Sequence, residues 1–389
     1  MKKVRAKHFI LVLSIPFVLY AILGGFLGRA LARDSAYRYL SVFQDVVTLV
    51  MNNYLKAPEM DQVMDGAIRG MMEALDADSC YLTPEEFAAF QSKDSQPQAD
   101  IGIDVTKRYY IQIVSVLPGS PAETAGLKPG DLLKTIDGVN TRETNVIVGE
   151  AMLRGPAGST LELQVIRGRT PEPIDISVSR RDVVASPVKF EMLDDATGYL
   201  QVTAFRASTA TDVKRGLEML KGQGATRIVV DVRNSHGRLA EDGARVAELF
   251  VSGGVAARLQ SREGETTDLT LEEGKVAFDG DVALLINRGT SGSAEIVASS
   301  FRSAERGELI GIATSGRSGV QRAIELGDGA GLVLSVAQYW TPDGKAMLGE
   351  GLEPSVEVGR TLDTPEDEDP VLDKALELLE AGAAQKKAA

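Results

Sequence analysis

The sequence predicts an α/β protein in which a β-rich domain is inserted between a helical N-terminal region and a strand–helix–strand core. Three observations carry that prediction. Apolar residues recur at helical spacing in the first quarter of the chain, short alternating β patterns split by glycine turns follow from Ile101 to Arg181, and β-branched runs then alternate with helical stretches. The boundaries that result are 1–33 for an apolar leader, 34–97 for the helical region, 98–182 for the inserted domain, 183–360 for the core, and 361–389 for an acidic linker with a terminal helix.

The leader carries Lys2, Lys3, Arg5, Lys7, Arg29 and Arg33 and no acid. Within it, Phe9 to Gly28 is an uncharged, mostly apolar run of 20 residues, and about 20 are needed to span roughly 30 Å of hydrocarbon. The positive-inside rule keeps residues 1–8 in the cytoplasm and exports the body, to the periplasm or another extracytoplasmic space. Ala30-Leu31-Ala32 has the small-x-small form of a cleavage site, so the segment is either a transmembrane helix that anchors the protein or a signal that is removed to secrete it. The length of the run and Arg29 just before that site favour the anchor.

Tyr37 to Asn53 places Leu40, Phe43, Val46, Val47 and Val50 on one helical face, and Met60 to Leu75 repeats the pattern with Met64, Met71 and Met72 as candidate core positions. Thr83-Pro84-Glu85-Glu86 combines an N-cap, a proline at the first helical position and acids that suit the helix dipole. Ser92 to Asp100 is polar and reads as a linker. In the inserted domain Ile111–Val116 alternates as a half-buried strand, a short helix after Pro121 stops at Gly126, and the strand Leu132–Ile136 ends in the hairpin signal Asp137-Gly138. A further strand spans Leu161–Arg167. The core alternates strands at Gly198–Phe205, Arg227–Val232 and Val282–Asn287 with helices at Ala210–Gln223, Ala240–Val251 and Ser293–Ala304, which puts ligands at strand ends and helix N-termini. Val371–Ala381 is the terminal helix.

Composition removes several function classes. Past the leader, 36 basic residues face 55 acidic ones, a net charge of −19 that repels nucleic acid and anionic lipid. Cys80 is the one cysteine, so no intrachain disulfide or Cys-rich zinc site can form, and it is expected to be buried. Of two histidines, His8 borders the apolar segment and only His236 is left for chemistry. A Ser-His-Asp triad is open only through His236. With no phosphate-cradling loop, dinucleotide fingerprint or metal-ligand cluster, no cofactor is expected.

The run Pro118-Gly119-Ser120-Pro121-Ala122, Leu127-Lys128-Pro129-Gly130-Asp131 and Leu132–Ile136 closely resembles a PDZ domain. The resemblance implies that an extended peptide adds as a strand, with its terminal carboxylate received by the loop Asp100-Ile101-Gly102-Ile103. Outside that domain, Leu75-Asp76 with Asp78-Ser79, Tyr81-Leu82-Thr83-Pro84-Glu85-Glu86-Phe87, Val230-Asp231-Val232-Arg233-Asn234, Asn287-Arg288-Gly289-Thr290, Gly319-Val320-Gln321 and Tyr339-Trp340-Thr341-Pro342-Asp343-Gly344 are similar, in order and spacing, to the C-terminal processing (tail-specific) peptidases. That resemblance implies a crotonase- or ClpP-like core, a serine nucleophile, a neutral lysine base assisted by a glutamine, and an oxyanion hole of backbone amides.

Carried over residue by residue, the nucleophile position falls on Gly292, the base position on Arg317 and the glutamine on Gln321, with the family's interval of 25 residues between the first two kept. The glycine-rich turn becomes Ser235-His236-Gly237-Arg238, with Gly237 in the oxyanion region. Glycine has no nucleophile, and arginine stays protonated at neutral pH. The expectation is a pseudopeptidase scaffold that binds unstructured protein C-termini, alone, as a homo-oligomer or beside a partner protease. The alternative is an active serine endopeptidase with Ser291 or Ser293 as nucleophile and His236 as base, those serines otherwise being helix caps. Arg317 is either a holder of a peptide carboxylate or a solvated or salt-bridged structural residue.

Overall fold

The computed structural model describes residues 37–92, 99–168, 172–182, 186–359, 364–365 and 368–388. The apolar segment Phe9–Gly28 lies outside the described residues, and among those described no helix is long and apolar enough to cross a membrane. The chain divides into two compact units, one ending at Ala67 and one from Ile68 to Ala389. In the first, residues 37–53 are helical as their spacing predicts, but Leu40, Phe43 and Val46 are exposed rather than packed.

The second unit holds the inserted domain and the core. Thr83 caps the helix Pro84–Gln91 with a complete capping box, because Glu86 reaches back to the Thr83 amide while Thr83 accepts from Glu86. Cys80 and Met72 are buried, whereas Met71 is exposed. Burial pushes the Cys80 thiol up to about 12, which leaves it inert at neutral pH.

The inserted domain is one antiparallel sheet in the order Ile103–Lys107, Ile111–Val116, Leu132–Ile136, Thr160–Ile166, Ile174–Ser179, with the helix Val146–Leu153 packed beside it. The hairpin at Asp137-Gly138 forms with both residues at positive φ, 46° and 79°, as a primed turn requires. Its core is alternately inward Ile101, Ile113, Leu133, Leu161, Leu163 and Val165.

The core is a six-stranded sheet ordered Val356–Glu357, Glu308–Gly311, Asp281–Ile286, Arg227–Asp231, Thr197–Val202, Val188–Met192, parallel except for its last pair. The helices Thr209–Gly222, Ala240–Ala247 and Ser293–Ser303 bury their apolar faces in the cluster around Leu200, Val230, Leu284 and Phe301. The helix Pro370–Ala388 meets Val229, Ala283, Leu285 and Ile310 with Val371, Ala375 and Leu379. A second sheet pairs Gly319–Glu325 with Gly331–Trp340, which also pairs with Cys80–Leu82 and Val255–Ser261.

Candidate active site

Two neighbouring parallel strands, Arg227–Asp231 and Asp281–Ile286, deliver the turns that build the site at their C-terminal ends, where an open α/β sheet binds ligands. Asn287 locks the turns together. Its Oδ1 accepts from the Asn234 and Gly289 amides at 2.9 and 2.8 Å, and its Nδ2 donates to Asn234 Oδ1 at 2.9 Å. A two-residue parallel ladder then sets His236 beside Ser291 and Gly237 beside Gly292.

Gly292 occupies a strand-to-helix turn at φ 57°, ψ −117°, immediately before the helix Ser293–Ser303. Such a turn is the shape that exposes a nucleophile, and its positive φ favours glycine. The space beside it is taken. A Cβ at 292 would lie 2.0 Å from the Gly237 carbonyl oxygen, so a side chain there needs the turn at Gly237 to move. Gly237 is equally confined, since its own Cβ would fall 2.3 Å from Ser293 Oγ. Position 292 therefore has no side-chain oxygen, and no room for one unless the turn at Gly237 shifts.

Arg317, on the other side of the cleft lining, already has a partner. Arg317 forks onto Asp78, with Nε donating to Oδ2 at 3.1 Å and Nη2 to Oδ1. Burial works against its charge, and Asp78 more than offsets this, so its pKa rises above the usual arginine value. Arg317 is salt-bridged to Asp78 in this structure, and its buried Nη1 has no hydrogen-bond partner. Glu295, fully buried, fastens the loop 314–318 to the turn at Gly292. Its carboxyl accepts from the amides of Gly292, Gly316 and Arg317 at 3.1, 2.8 and 3.0 Å, and from Thr314 Oγ1 and Ser318 Oγ at 2.5 and 2.6 Å. Burial pushes that carboxyl up, and the donors work against the shift. Asp78 and Glu295 were not singled out as site residues by their sequence. Asp78 lies 239 positions from its partner, so no local signal marks the pair.

The structure separates the two candidate serines. Ser293 Oγ donates to the Leu239 carbonyl at 2.6 Å and is buried as a structural link. Ser291 Oγ stands 2.8 Å from His236 Nδ1, the contact a serine–histidine pair requires. Ser291 is 1% exposed, and it lines a different cavity from the cleft, one shared with Asn287, Arg288, Lys107 and Gly130. Burial, then the charges of Arg317 and Arg238, hold His236 well below the usual histidine pKa, so its imidazole is neutral. Gln321 Nε2 donates to Ser335 Oγ at 3.3 Å on the cleft wall.

The cleft is a cavity of about 140 Å³ in which Gly292, Arg317, Gln321 and His236 meet Val146, Ile147 and Glu150 of the inserted domain. Arg238, in the same turn as His236, pairs with Glu150 of the inserted domain's helix at the edge of the cleft. Asn145 adds a 3.1 Å hydrogen bond to the Tyr81 carbonyl. Among the described residues no cluster of His, Cys, Asp and Glu could hold a metal ion.

The core is thus a parallel sheet whose strand-to-helix turn faces a cleft lined in part by the inserted domain. Residues 196–358 match the model of peptidase family S41, and residues 112–167 match a PDZ domain. The chain is 31% identical over 309 residues to the carboxy-terminal processing protease CtpA of Bacillus subtilis, covering 79% of this chain and 66% of that protein's length. It is 30% identical over 304 residues to a carboxyl-terminal-processing protease of Picosynechococcus, covering 76% and 73%. The solved photosystem II D1 C-terminal processing protease superposes with a TM-score of 0.65 at 25% identity, over 85% of this chain and 89% of that one. The chain belongs to peptidase family S41, the carboxyl-terminal processing proteases.

Proposed function

We propose that the protein is a membrane-anchored, extracytoplasmic member of this family that binds unstructured C-terminal tails without cutting them. The carrying observation is the Gly237 carbonyl standing 2.0 Å from where a side chain at Gly292 would begin. Arg317 on Asp78 supports the same reading, because a guanidinium cannot act as general base near neutral pH. The localisation part rests on the basic cluster and the apolar run Phe9–Gly28.

The test is an unstructured peptide with a free C-terminus, followed for binding by anisotropy and for cleavage by mass spectrometry, beside labelling with a serine-reactive probe. Binding with no cleavage and no labelling is the expected result. One observation favours the second reading, an active serine endopeptidase with a rearranged nucleophile: the 2.8 Å contact of His236 with Ser291. Cleavage lost in both Ser291→Ala and His236→Ala would establish that reading and sink the first. The double substitution Gly292→Ser/Arg317→Lys is expected to stay inactive unless the turn at Gly237 also moves.

A further inference from the structure

The inserted domain has the parts that receive a peptide strand. Ile103–Lys107 is an edge strand, paired among the described residues only with Ile111–Val116. A cavity of about 460 Å³ runs between it and the end of the helix Val146–Leu153, lined by Gly102, Ile103, Asp104 and Leu153. The loop at its head is tied down by backbone hydrogen bonds and close packing. The Leu117 and Ala122 amides donate to the Gly102 and Ile101 carbonyls, both at 2.9 Å, and a Cβ on Gly102 would meet Ser120 Cβ at 2.4 Å. The Ile101 and Gly102 amides of this loop form an anion-binding nest, suited to a terminal carboxylate.

That nest is not free. Asp100 Oδ1 accepts from the Ile101 amide at 2.6 Å and from the Gly102 amide at 3.2 Å. A carboxylate of the chain itself thus sits on the donors that a peptide's last residue would use. Its other oxygen, Oδ2, lies 3.9 Å from Arg154 Nε, a cation placed to take the side chain when it leaves.

We propose that Asp100 is an intramolecular competitor for the terminal carboxylate and so sets what the groove accepts. With Asp100 in place, the groove reads a tail through the strand edge and its side chains, and discriminates weakly between a free C-terminus and an interior or blocked one. A terminal carboxylate enters only as Asp100 swings to Arg154. The inference rests on the tail-binding reading of this domain.

The experiment measures the affinity of the full chain for one unstructured peptide ending in an apolar residue, as the free acid and as the C-terminal amide. Wild type is expected to bind the two within a fewfold. Asp100→Ala is expected to prefer the acid by about tenfold or more, the scale of charge-assisted hydrogen bonds to a nest. Asp100→Asn, which keeps an acceptor of the same shape and removes the charge, should fall between them and guards against misfolding of the alanine variant. A wild type that already prefers the acid strongly, with no gain in either variant, overturns the proposal and leaves tail binding standing. Absence of binding to either peptide by all three proteins, each folded by circular dichroism, removes the tail-binding reading and the proposal with it.

Discussion

Arg317 in the cleft and Arg233, just past the strand Arg227–Asp231, are both partly buried arginines forked onto aspartates, yet they are finished differently. Arg233 uses its whole guanidinium. Its Nε and Nη2 donate to Asp231, and Nη1 and Nη2 donate to Asp369 at 2.8 and 2.7 Å, while Tyr199 adds its hydroxyl to Asp231 at 2.6 Å. Arg317 pairs with one aspartate and leaves Nη1 unpartnered. A fully used fork reads as a structural cross-link, here between the sheet and the segment that begins the helix Pro370–Ala388. Arg317 keeps one buried N–H without a partner, so its ion pair in the cleft is the less complete of the two.

Four experiments sharpen or break that contrast. The largest effect is expected from Arg233→Ala, which strands Asp231 in the interior and should cost about 3–5 kcal/mol in urea unfolding. A loss below about 1 kcal/mol would show that the network is dispensable. Asp78→Ala leaves Arg317 without its counter-charge but beside a cavity that admits water, so about 1–3 kcal/mol is expected by the same measurement. Replacing both members as Asp78→Ala/Arg317→Leu should recover most of that loss, because a buried pair seldom outdoes apolar packing.

Asp369→Asn gives the smallest effect, about 1 kcal/mol at neutral pH, since this carboxylate is a third exposed. Burial pushes the Asp369 carboxyl up, and Arg233 together with the Leu372 and Val371 amides more than offsets it, so its pKa lies below the usual carboxylate range. A depressed pKa stabilises the fold above the unfolded-state value, and that contribution disappears as pH falls through the folded one. The wild-type advantage over Asp369→Asn should therefore be full at pH 6 to 7 and shrink on acidification below about pH 4. An advantage independent of pH would mean that shape rather than charge holds this end of the network.

Much of the fold was legible because its signals are local. The capping box at Thr83, the primed turn at Asp137-Gly138 and the β-branched runs at Arg227 and Asp281 each dictate a backbone state through residues a few positions apart. The sequence-based strand ends near Phe205 and Asn287 ran past the structure's, at Val202 and Ile286, because those last residues leave the ladder to form the turns of the site. The antiparallel pair Gly319–Glu325 and Gly331–Trp340 was not anticipated as strands. Most of the first of these is exposed, with apolar and polar side chains alike facing solvent, so its pattern gives little burial signal.

Sequence alone determined that position 292 has no nucleophile and position 317 no neutral base, because side-chain chemistry is a property of the residue. It also determined the charge of the body and the absence of any disulfide within the chain. Only the tertiary structure decided that the Gly237 carbonyl fills the space beside Gly292, that Asp78 claims Arg317, and that Ser291 rather than Ser293 meets His236. These outcomes depend on which atoms two distant turns bring within about 3 Å of each other. Strand register and parallel pairing set that distance, and residue spacing along the chain does not encode it.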